Sequence, residues 1–135
     1  MPSGYAIIEP DSVDAEQFTT CETKVRKLTE PLGCTELRVN QVLIEPGEVT
    51  TPHAHDGQEE VFVAQTDGQI AIEGTVHDIP AGGIVRVRPD VVRNLLNETD
   101  DSTHRWLAFG APPVGTVADF GSFVLPDSGD STGTG

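Results

Sequence analysis

Two histidines and a nearby acidic residue are the side chains of this sequence best suited to chemistry. His53 and His55 are one residue apart, and Gln58, Glu59 and Glu60 follow shortly after them. Alternate residues of a β-strand point to the same face, so the two imidazoles can lie side by side. Imidazole nitrogens and carboxylate oxygens both bind divalent metals. The spacing therefore predicts a metal site completed by a carboxylate from the following strand.

The pattern does not identify which acid completes this site. Period-two alternation places Glu59 and Glu60 on opposite faces of a strand, and apolar residues accompany each of them. Either carboxylate can therefore face the histidines, and Gln58 is a further candidate.

Short segments rich in Val, Ile, Leu, Thr and Phe, separated by turns, must position these residues. Asp-Gly pairs and single glycines separate the segments and favour tight turns. Many short strands at this spacing predict an all-β sandwich or barrel. One short helical turn is expected at 11–18, with Asp11 or Ser12 as its cap. The predicted strands are 24–29, 36–45, 49–55, 60–65, 69–73, 75–79, 84–88, 92–97 and 104–109.

The remaining histidines and two aromatic residues of these strands have simpler interpretations. His77 is expected to point outward from a strand, although it could substitute as a ligand. His104 follows an acidic turn and is expected on the surface as a charged partner. Trp106 and Phe109 are expected in the core.

The charge balance excludes several classes of partner. The chain of 135 residues has 22 acidic and 8 basic residues, with a formal net charge of −14. Nucleic acids and anionic membranes are poor partners, because they require a positive surface. No apolar run approaches the ~20 residues that cross a bilayer. An acidic, lysine-poor surface is typical of proteins from salt-accumulating microbes, so we expect a halophilic source.

The length and the ends of the sequence predict one cytoplasmic domain. Residues 1–125 are sufficient for one core. The first residues do not resemble a signal peptide, so Cys21 and Cys34 are expected to be free thiols. Residues 126–135 contain Gly, Ser, Thr, Asp and Pro without an apolar side chain, and are expected to be disordered.

Two motifs resemble those of the cupin superfamily. In the first, Gly47 is followed by five residues, His53-Ala54-His55, four residues and Glu60, and the closing glycine is displaced by one to Gly68. In the second, which spans 80–97, Pro80 and Gly82 match Pro-x-Gly, and Pro89 and Asn97 match the later proline and asparagine. The histidine expected four residues before that asparagine is Arg93. The resemblance covers roughly residues 36–110.

The resemblance implies a jelly-roll barrel, also described as a double-stranded β-helix, that pairs as a homodimer. It implies a divalent transition metal, Fe, Mn, Ni or Zn, held in the barrel by His53, His55 and Glu60. The alignment therefore favours Glu60 over Glu59.

Arg93 allows three interpretations, because a guanidinium stays protonated and does not bind metals. It can bind an anionic group of the substrate beside the metal, it can pair with Glu60 and displace the metal, or it can point outward. Of these three interpretations, we favour substrate binding.

The resemblance and the open role of Arg93 leave two possible functions. The first is a metal-dependent enzyme that acts on a small, anionic organic molecule by dioxygenase-like or isomerase-like chemistry. The alternative is a metal-free binding module for a small anion or sugar acid, without catalysis.

Overall fold

The computed structural model describes residues 4–17, 23–55, 57–98, 101–113 and 123–124, the last pair by its backbone alone. The regular secondary structure of the described part is almost entirely β-strand. A 3-10 turn spans Pro10–Ser12 and one short helix, α1, spans Thr29–Leu32. The strands are β1 (Glu16–Gln17), β2 (Lys24–Lys27), β3 (Arg38–Ile44), β4 (Ala54–His55), β5 (Glu59–Ala64), β6 (Gly68–Ile72), β7 (Thr75–Ile79), β8 (Ile84–Val87), β9 (Arg93–Leu96), β10 (His104–Ala111) and β11 (Phe123–Val124).

The strands form two main sheets that face each other across one core. The larger sheet has the order β1-β2-β3-β10-β5-β8, and the smaller sheet has the order β7-β6-β9. Strands β4 and β11 pair separately. Isolated bridges join Val49 to Leu96 and His53 to Arg93, which places the segment before β4 beside β9. All of these pairs are antiparallel, and several join strands that are distant along the chain, such as β3 with β10 and β6 with β9, which fits the expected jelly-roll barrel.

The core lies between the inner faces of the two sheets. The larger sheet contributes every second residue of its strands, such as Val42, Phe62 and Trp106, and the smaller sheet contributes Ile70 and Leu95. Trp106 is fully buried, as expected, and its ring contacts Phe62 edge-to-face. Strand alternation accounts for this selection, because residues two apart share a face.

The hairpin of β6 and β7 shows how turn residues set the register. Ile72 pairs with Thr75, so Glu73 and Gly74 form a two-residue loop. Both have positive φ, 51° at Glu73 and 84° at Gly74. This is the geometry of a type I′ turn, whose twist matches that of the strands. The glycine predicted to end the strand therefore lies where it is conformationally required.

Several local expectations were wrong. The helical turn begins at Pro10 and ends at Ser12, whereas Glu16–Gln17 form a strand. Neither predicted cap acts as one, since Ser12 Oγ instead donates to Glu9 O at 2.7 Å. The predicted strand 24–29 ends at Lys27, because Thr29 starts α1. Within 49–55, only Ala54–His55 form a strand. Cys34 is a free, partly buried thiol, whereas Cys21 and the tail 126–135 lie outside the described residues.

Gly68→Ala should destabilise the fold by about 1–3 kcal/mol, which is typical of overpacking in a core. A Cβ at this position would lie 2.5 Å from Trp106 Cζ2 and 2.8 Å from Cε2. Such contact requires the fully buried indole to shift. Urea unfolding should show the loss of stability. The double variant Gly68→Ala/Trp106→Phe has a smaller ring at position 106, so it should lose less stability than the sum of the losses in the two single variants. An unchanged midpoint in Gly68→Ala would contradict this packing.

Candidate metal centre

The histidines meet Glu60 inside one end of the barrel. The possible ligand atoms of His53, His55 and Glu60 all lie within 4.8 Å of one another. The two imidazole rings are 4.9 Å apart and nearly perpendicular. His55 Nε2 lies 3.3 Å from Glu60 Oε1. The structure thus brings together the three side chains that the sequence and its family resemblance selected.

Backbone pairing explains why the histidines face this cavity. The N–H of His53 donates to Arg93 O at 3.0 Å, and the N–H of Arg93 donates to His53 O at 2.9 Å. Directly opposed residues of an antiparallel pair share a face, so both side chains point inward. The N–H of His55 donates to Pro89 O at 2.9 Å, which fixes the second histidine two residues on.

The tautomer of His53 suits metal binding. Its Nδ1 lies 2.9 Å from the carbonyl oxygen of Thr51. Because a carbonyl only accepts hydrogen bonds, Nδ1 carries the proton and the neutral ring has its lone pair on Nε2. Histidines that bind metals commonly donate their second ring N–H to a carbonyl in this way.

The strand register distinguishes the two acids. Glu60 lies on the inner face of β5 with Phe62 and Ala64, and its side chain is 13% exposed. The side chain of Glu59 is 49% exposed and pairs with Arg86 on the outer face. Gln58 is buried, but its Nε2 donates to Pro112 O at 3.0 Å. Of the three candidates, only Glu60 belongs to the cluster with both histidines.

Arg93 is buried against Glu60 and does not point outward. Its side chain is fully buried, and its Nε lies 3.4 Å from Glu60 Oε1. Nη1 donates to Val91 O at 2.9 Å and Nη2 donates to Arg88 O at 3.3 Å. The outward interpretation is therefore wrong. The guanidinium holds Glu60 from one side while two carbonyls fix its orientation.

The charged and polar groups of the centre perturb one another's pKa values. Burial raises the pKa of Glu60, but the close contact with His55 and the charge of Arg93 outweigh it, so that the pKa is lowered. Burial lowers the pKa of His53 despite its bond to Thr51 and the charge of Glu60. Burial also lowers the pKa of Arg93 against the opposing attraction of Glu60. The centre thus favours an ionised Glu60 and a neutral His53, the forms that bind a metal.

One buried oxygen indicates that a divalent ion fits here. Glu60 Oε1 is buried, and its close contacts with His55 Nε2 and Arg93 Nε are ion-pair contacts without good hydrogen-bond geometry among the described residues. Ligand atoms at about 2.0–2.2 Å from one ion lie roughly 3–4 Å apart, which the His55–Glu60 separation matches. Two imidazoles and one carboxylate form a facial ligand set that leaves positions open for other ligands. The donor set therefore suits a divalent transition metal.

Sequence reasoning missed a second buried arginine. Arg38 is 2% exposed and pairs with Gly110, which in turn pairs with Glu60. Opposed residues share a face, so Arg38 lies on the inner face in the same row as Glu60. The signal was present in the sequence, since period two puts Arg38 with Val42 and Ile44 of the core.

The other two histidines lie elsewhere. His77 is exposed on β7, in agreement with the outward interpretation. His104 was expected on the surface, but it is 2% exposed. It lies on the inner face of β10, as does Trp106 two residues later. It is six residues before Gly110, the residue of β10 that pairs with Glu60. Neither belongs to the cluster of His53, His55 and Glu60.

Acidification should destabilise the metal-free protein. The pKa values of His53 and Glu60 are both lowered by folding, so the unfolded chain binds more protons and the free energy of unfolding rises with pH. The contribution of neutral His53 to the free energy of unfolding is fully present above its ordinary pKa of 6.5. It is lost as the pH falls through the lower pKa that His53 has in the folded protein. Glu60 behaves likewise below its ordinary pKa of 4.5.

Urea unfolding of chelator-treated protein at pH 7 and pH 5 measures this loss. His53→Gln should reduce the difference in the free energy of unfolding between the two pH values. His77→Gln should leave that difference as in the original chain. Equal pH dependence in all three proteins would contradict the assignment to His53.

Comparison with known proteins identifies the family. Residues 40–110, more than half of the chain, match the family model described as cupin domain. The chain therefore belongs to the cupin family, which confirms the resemblance and the jelly-roll fold. None of the curated proteins that were searched matches it.

Solved structures share this fold at low sequence identity. A cupin protein from Bacteroides fragilis is 20% identical, with a TM-score of 0.67 over 88% of this chain and 97% of that one. A predicted oxalate decarboxylase from Thermotoga maritima is 16% identical, with a TM-score of 0.68 over 79% and 99%. A sugar phosphate isomerase of the cupin superfamily from Silicibacter pomeroyi is 17% identical, with a TM-score of 0.65 over 78% and 75%.

No helix among the described residues is long and apolar enough to span a membrane.

Proposed function

We propose that this cupin is a metal-dependent enzyme that acts on a small, anionic organic molecule. His53, His55 and Glu60 would hold one divalent transition metal, and Fe, Mn, Ni and Zn are all compatible with nitrogen and oxygen ligands. When bound, such an ion supplies a Lewis acid or a centre for oxygen activation. Isomerase-like and dioxygenase-like reactions both use these properties.

The observation that carries the proposal is the convergence of three donor groups on one buried point. Glu60 Oε1 is buried and lies at ion-pair distance from His55 Nε2 (3.3 Å) and Arg93 Nε (3.4 Å), but no hydrogen bond of good geometry among the described residues satisfies it. An unsatisfied buried carboxylate oxygen is costly, and a cation within reach of both histidines removes that cost. His53 would hold its ring through Thr51, and Arg93 would hold Glu60.

The distribution of basic residues supports an anionic substrate. All eight Lys and Arg residues are described, and only Arg38 and Arg93 among them are buried. Both lie on the inner faces at the end of the barrel that contains Glu60. Guanidinium groups bind carboxylates and phosphates through paired hydrogen bonds. Two of the similar structures are titled as a predicted oxalate decarboxylase and as a sugar phosphate isomerase, and oxalate and sugar phosphates are anions.

Arg38 and Arg93 would have different roles. The Nη1 and Nη2 atoms of Arg93 both donate to backbone carbonyls, so its main role is to orient Glu60 and to attract an anion by its charge. Direct contact between Arg93 and the substrate stays a prediction. Arg38 is the additional candidate for such contact.

Metal content is the first test. Untagged protein, purified in high salt, should be stripped with a chelator and reconstituted separately with Fe(II), Mn(II), Ni(II) and Zn(II). About one ion per chain should remain after desalting, as measured by mass spectrometry. The loaded protein should then be assayed with oxalate and with sugar phosphates for oxygen uptake and product formation. Absence of a retained ion from all four reconstitutions would refute the metal-dependent function.

A metal-free binding module is the second candidate, and one contact favours it. Arg93 Nε lies 3.4 Å from Glu60 Oε1, so the carboxylate already has an opposite charge beside it. In that case the cavity would bind a small anion through Arg38, Arg93 and the histidines. Calorimetric binding of oxalate to protein that retains no metal would support this candidate over the enzyme.

A further inference from the structure

The loop between β8 and β9 supplies the backbone oxygens that fix two residues of the metal centre. We call residues 88–92 the carbonyl loop. Two of its carbonyl oxygens accept from the guanidinium of Arg93, and the carbonyl of Pro89 accepts from the N–H of His55. A shift of this loop would therefore move the guanidinium that holds Glu60 and the backbone of the second histidine. The geometry of the centre thus depends on what fixes the carbonyl loop.

Glu73 ties the carbonyl loop to the smaller sheet. The N–H of Glu73 donates to Val92 O at 2.8 Å, and the N–H of Val92 donates to Glu73 Oε2 at 3.0 Å. Opposed residues of an antiparallel ladder usually exchange two backbone hydrogen bonds. Here the carboxylate takes the place of the backbone carbonyl as the second acceptor. These two bonds, which we call the Glu73 clamp, fix the residue directly before Arg93.

The other contacts of the carbonyl loop are weaker or lie within it. The N–H of Val91 donates to Arg88 O at 3.2 Å, inside the loop itself. The side chains of Arg88 and Asp90 form an ion pair, but they are 59% and 74% exposed, and exposed pairs contribute little. Val91 is partly buried against the core. The Glu73 clamp and the packing of Val91 therefore locate the loop.

The backbone of Glu73 indicates that its side chain has a function. Its φ is 51°, and among the described residues no other residue except glycine has a positive φ. Glycine, asparagine and aspartate adopt this conformation most readily, and asparagine or aspartate usually precedes the glycine of a type I′ turn. Residues held in sparsely populated conformations cluster at functional sites. The carboxylate that reaches the N–H of Val92 gives a reason for glutamate at this position.

We propose that Glu73 is a positioning residue of the metal centre, which acts through the carbonyl loop on Arg93. The clamp holds the loop where its carbonyl oxygens accept from the guanidinium while Arg93 Nε lies 3.4 Å from Glu60 Oε1. Glu73 itself is exposed and does not belong to the cluster of possible ligands. The inference rests on the proposed function for the role of Glu60 as a ligand, but the position of Arg93 can be measured in metal-free protein.

Nuclear magnetic resonance of the chelator-treated full chain tests this position. The signal of the buried Arg93 Nε–H is assigned by through-bond correlation, and its exchange with solvent is measured. Glu73→Ala removes the acceptor, so the loop should open more often and the exchange should accelerate at least about tenfold. Glu73→Gln keeps an acceptor oxygen on a side chain of the same length and should leave the exchange rate as in the original chain.

Two further variants separate positioning from a general effect on stability. Glu73→Gly also removes the acceptor, but glycine suits the positive φ. The midpoint of thermal unfolding should therefore fall less than in Glu73→Ala, whereas the exchange should accelerate as much. Glu48→Ala is the matched control, because Glu48 Oε1 accepts from the N–H of Glu45 at 2.9 Å, outside the carbonyl loop. It should leave the exchange of the Arg93 Nε–H unchanged.

Metal affinity measures the consequence for the centre. Loss of a group that directly supports a ligand costs about 10–100-fold in affinity, and Glu73 is one contact further away, so Glu73→Ala and Glu73→Gly should each cost about three- to tenfold.

Exchange as slow in Glu73→Gly as in the original chain would overturn the proposal, and so would equal acceleration in Glu73→Gln and Glu73→Ala. If an ion is bound, unchanged affinity in Glu73→Gly would overturn it as well. Protein that retains no ion would refute the metal-dependent function, while the exchange rates would still decide whether Glu73 positions Arg93.

Discussion

His53→Ala should lower the affinity for a divalent ion by at least about 100-fold. Loss of a residue that only supports a metal ligand already costs about 10–100-fold, so loss of a ligand should cost more. His53 presents its Nε2 lone pair because Nδ1 is fixed by Thr51 O at 2.9 Å. Titration of Zn(II) or Mn(II) into chelator-treated protein, followed by calorimetry, measures the change directly.

The control for this variant is His77→Ala. His77 is exposed on β7 and does not belong to the cluster of possible ligands. Its removal should leave both the affinity and the thermal unfolding unchanged. Glu60→Gln should resemble His53→Ala, because the amide keeps the shape but removes the charge. Equal metal affinity in His53→Ala and His77→Ala would show that the ion, if bound, is held elsewhere.

Arg93→Met should destabilise the metal-free protein by about 3–5 kcal/mol, the usual cost of removing one partner from a buried ion pair. Methionine keeps much of the volume, so the loss would come from charge and hydrogen bonding. The change leaves Glu60 without its counter-charge and removes the donors to Val91 O and Arg88 O. Urea unfolding at neutral pH measures the difference.

Arg86→Met is the matched control, because Arg86 also pairs with a glutamate but its side chain is 58% exposed. Exposed pairs contribute little, so this variant should change stability by less than about 1 kcal/mol. Arg93→Met should lose less stability in acid than at neutral pH, since protonation of Glu60 removes the uncompensated charge. If Arg93→Met and Arg86→Met proved equally mild, Arg93 would not be the buried partner of Glu60.

Local pattern predicted the strands well. Period-two alternation and turn residues located β5 to β10 to within two residues, because a half-buried strand carries its signal in neighbouring residues. The motif with His53, His55 and Glu60 predicted the cluster for the same reason, since its first two members share a strand face. The short elements near the N-terminus and the ends of strands were less predictable. Propensity did not indicate that Thr29 would start a helix or that Glu16 would pair with Val25.

The environment of the individual charged side chains required the tertiary structure. Alternation allowed either Glu59 or Glu60 to face inward, and pairing with Val87 and Gly110 put Glu60 on the core face. Arg93 had three possible roles, and its bridge to His53 and its burial against Glu60 excluded the one in which it points outward. His104 looked like a surface residue because acidic neighbours precede it, yet its strand turns it into the barrel.

The sequence alone determined an acidic, all-β cupin with two histidines and a carboxylate spaced for a metal, because strand period and motif spacing are properties of neighbouring residues. Only the tertiary structure decided that Arg93 lies against Glu60 and that Arg38 lies on the same inner face as Glu60. These depend on pairing between strands far apart in the chain. That pairing is set by how the two sheets close around one core, which no local window contains.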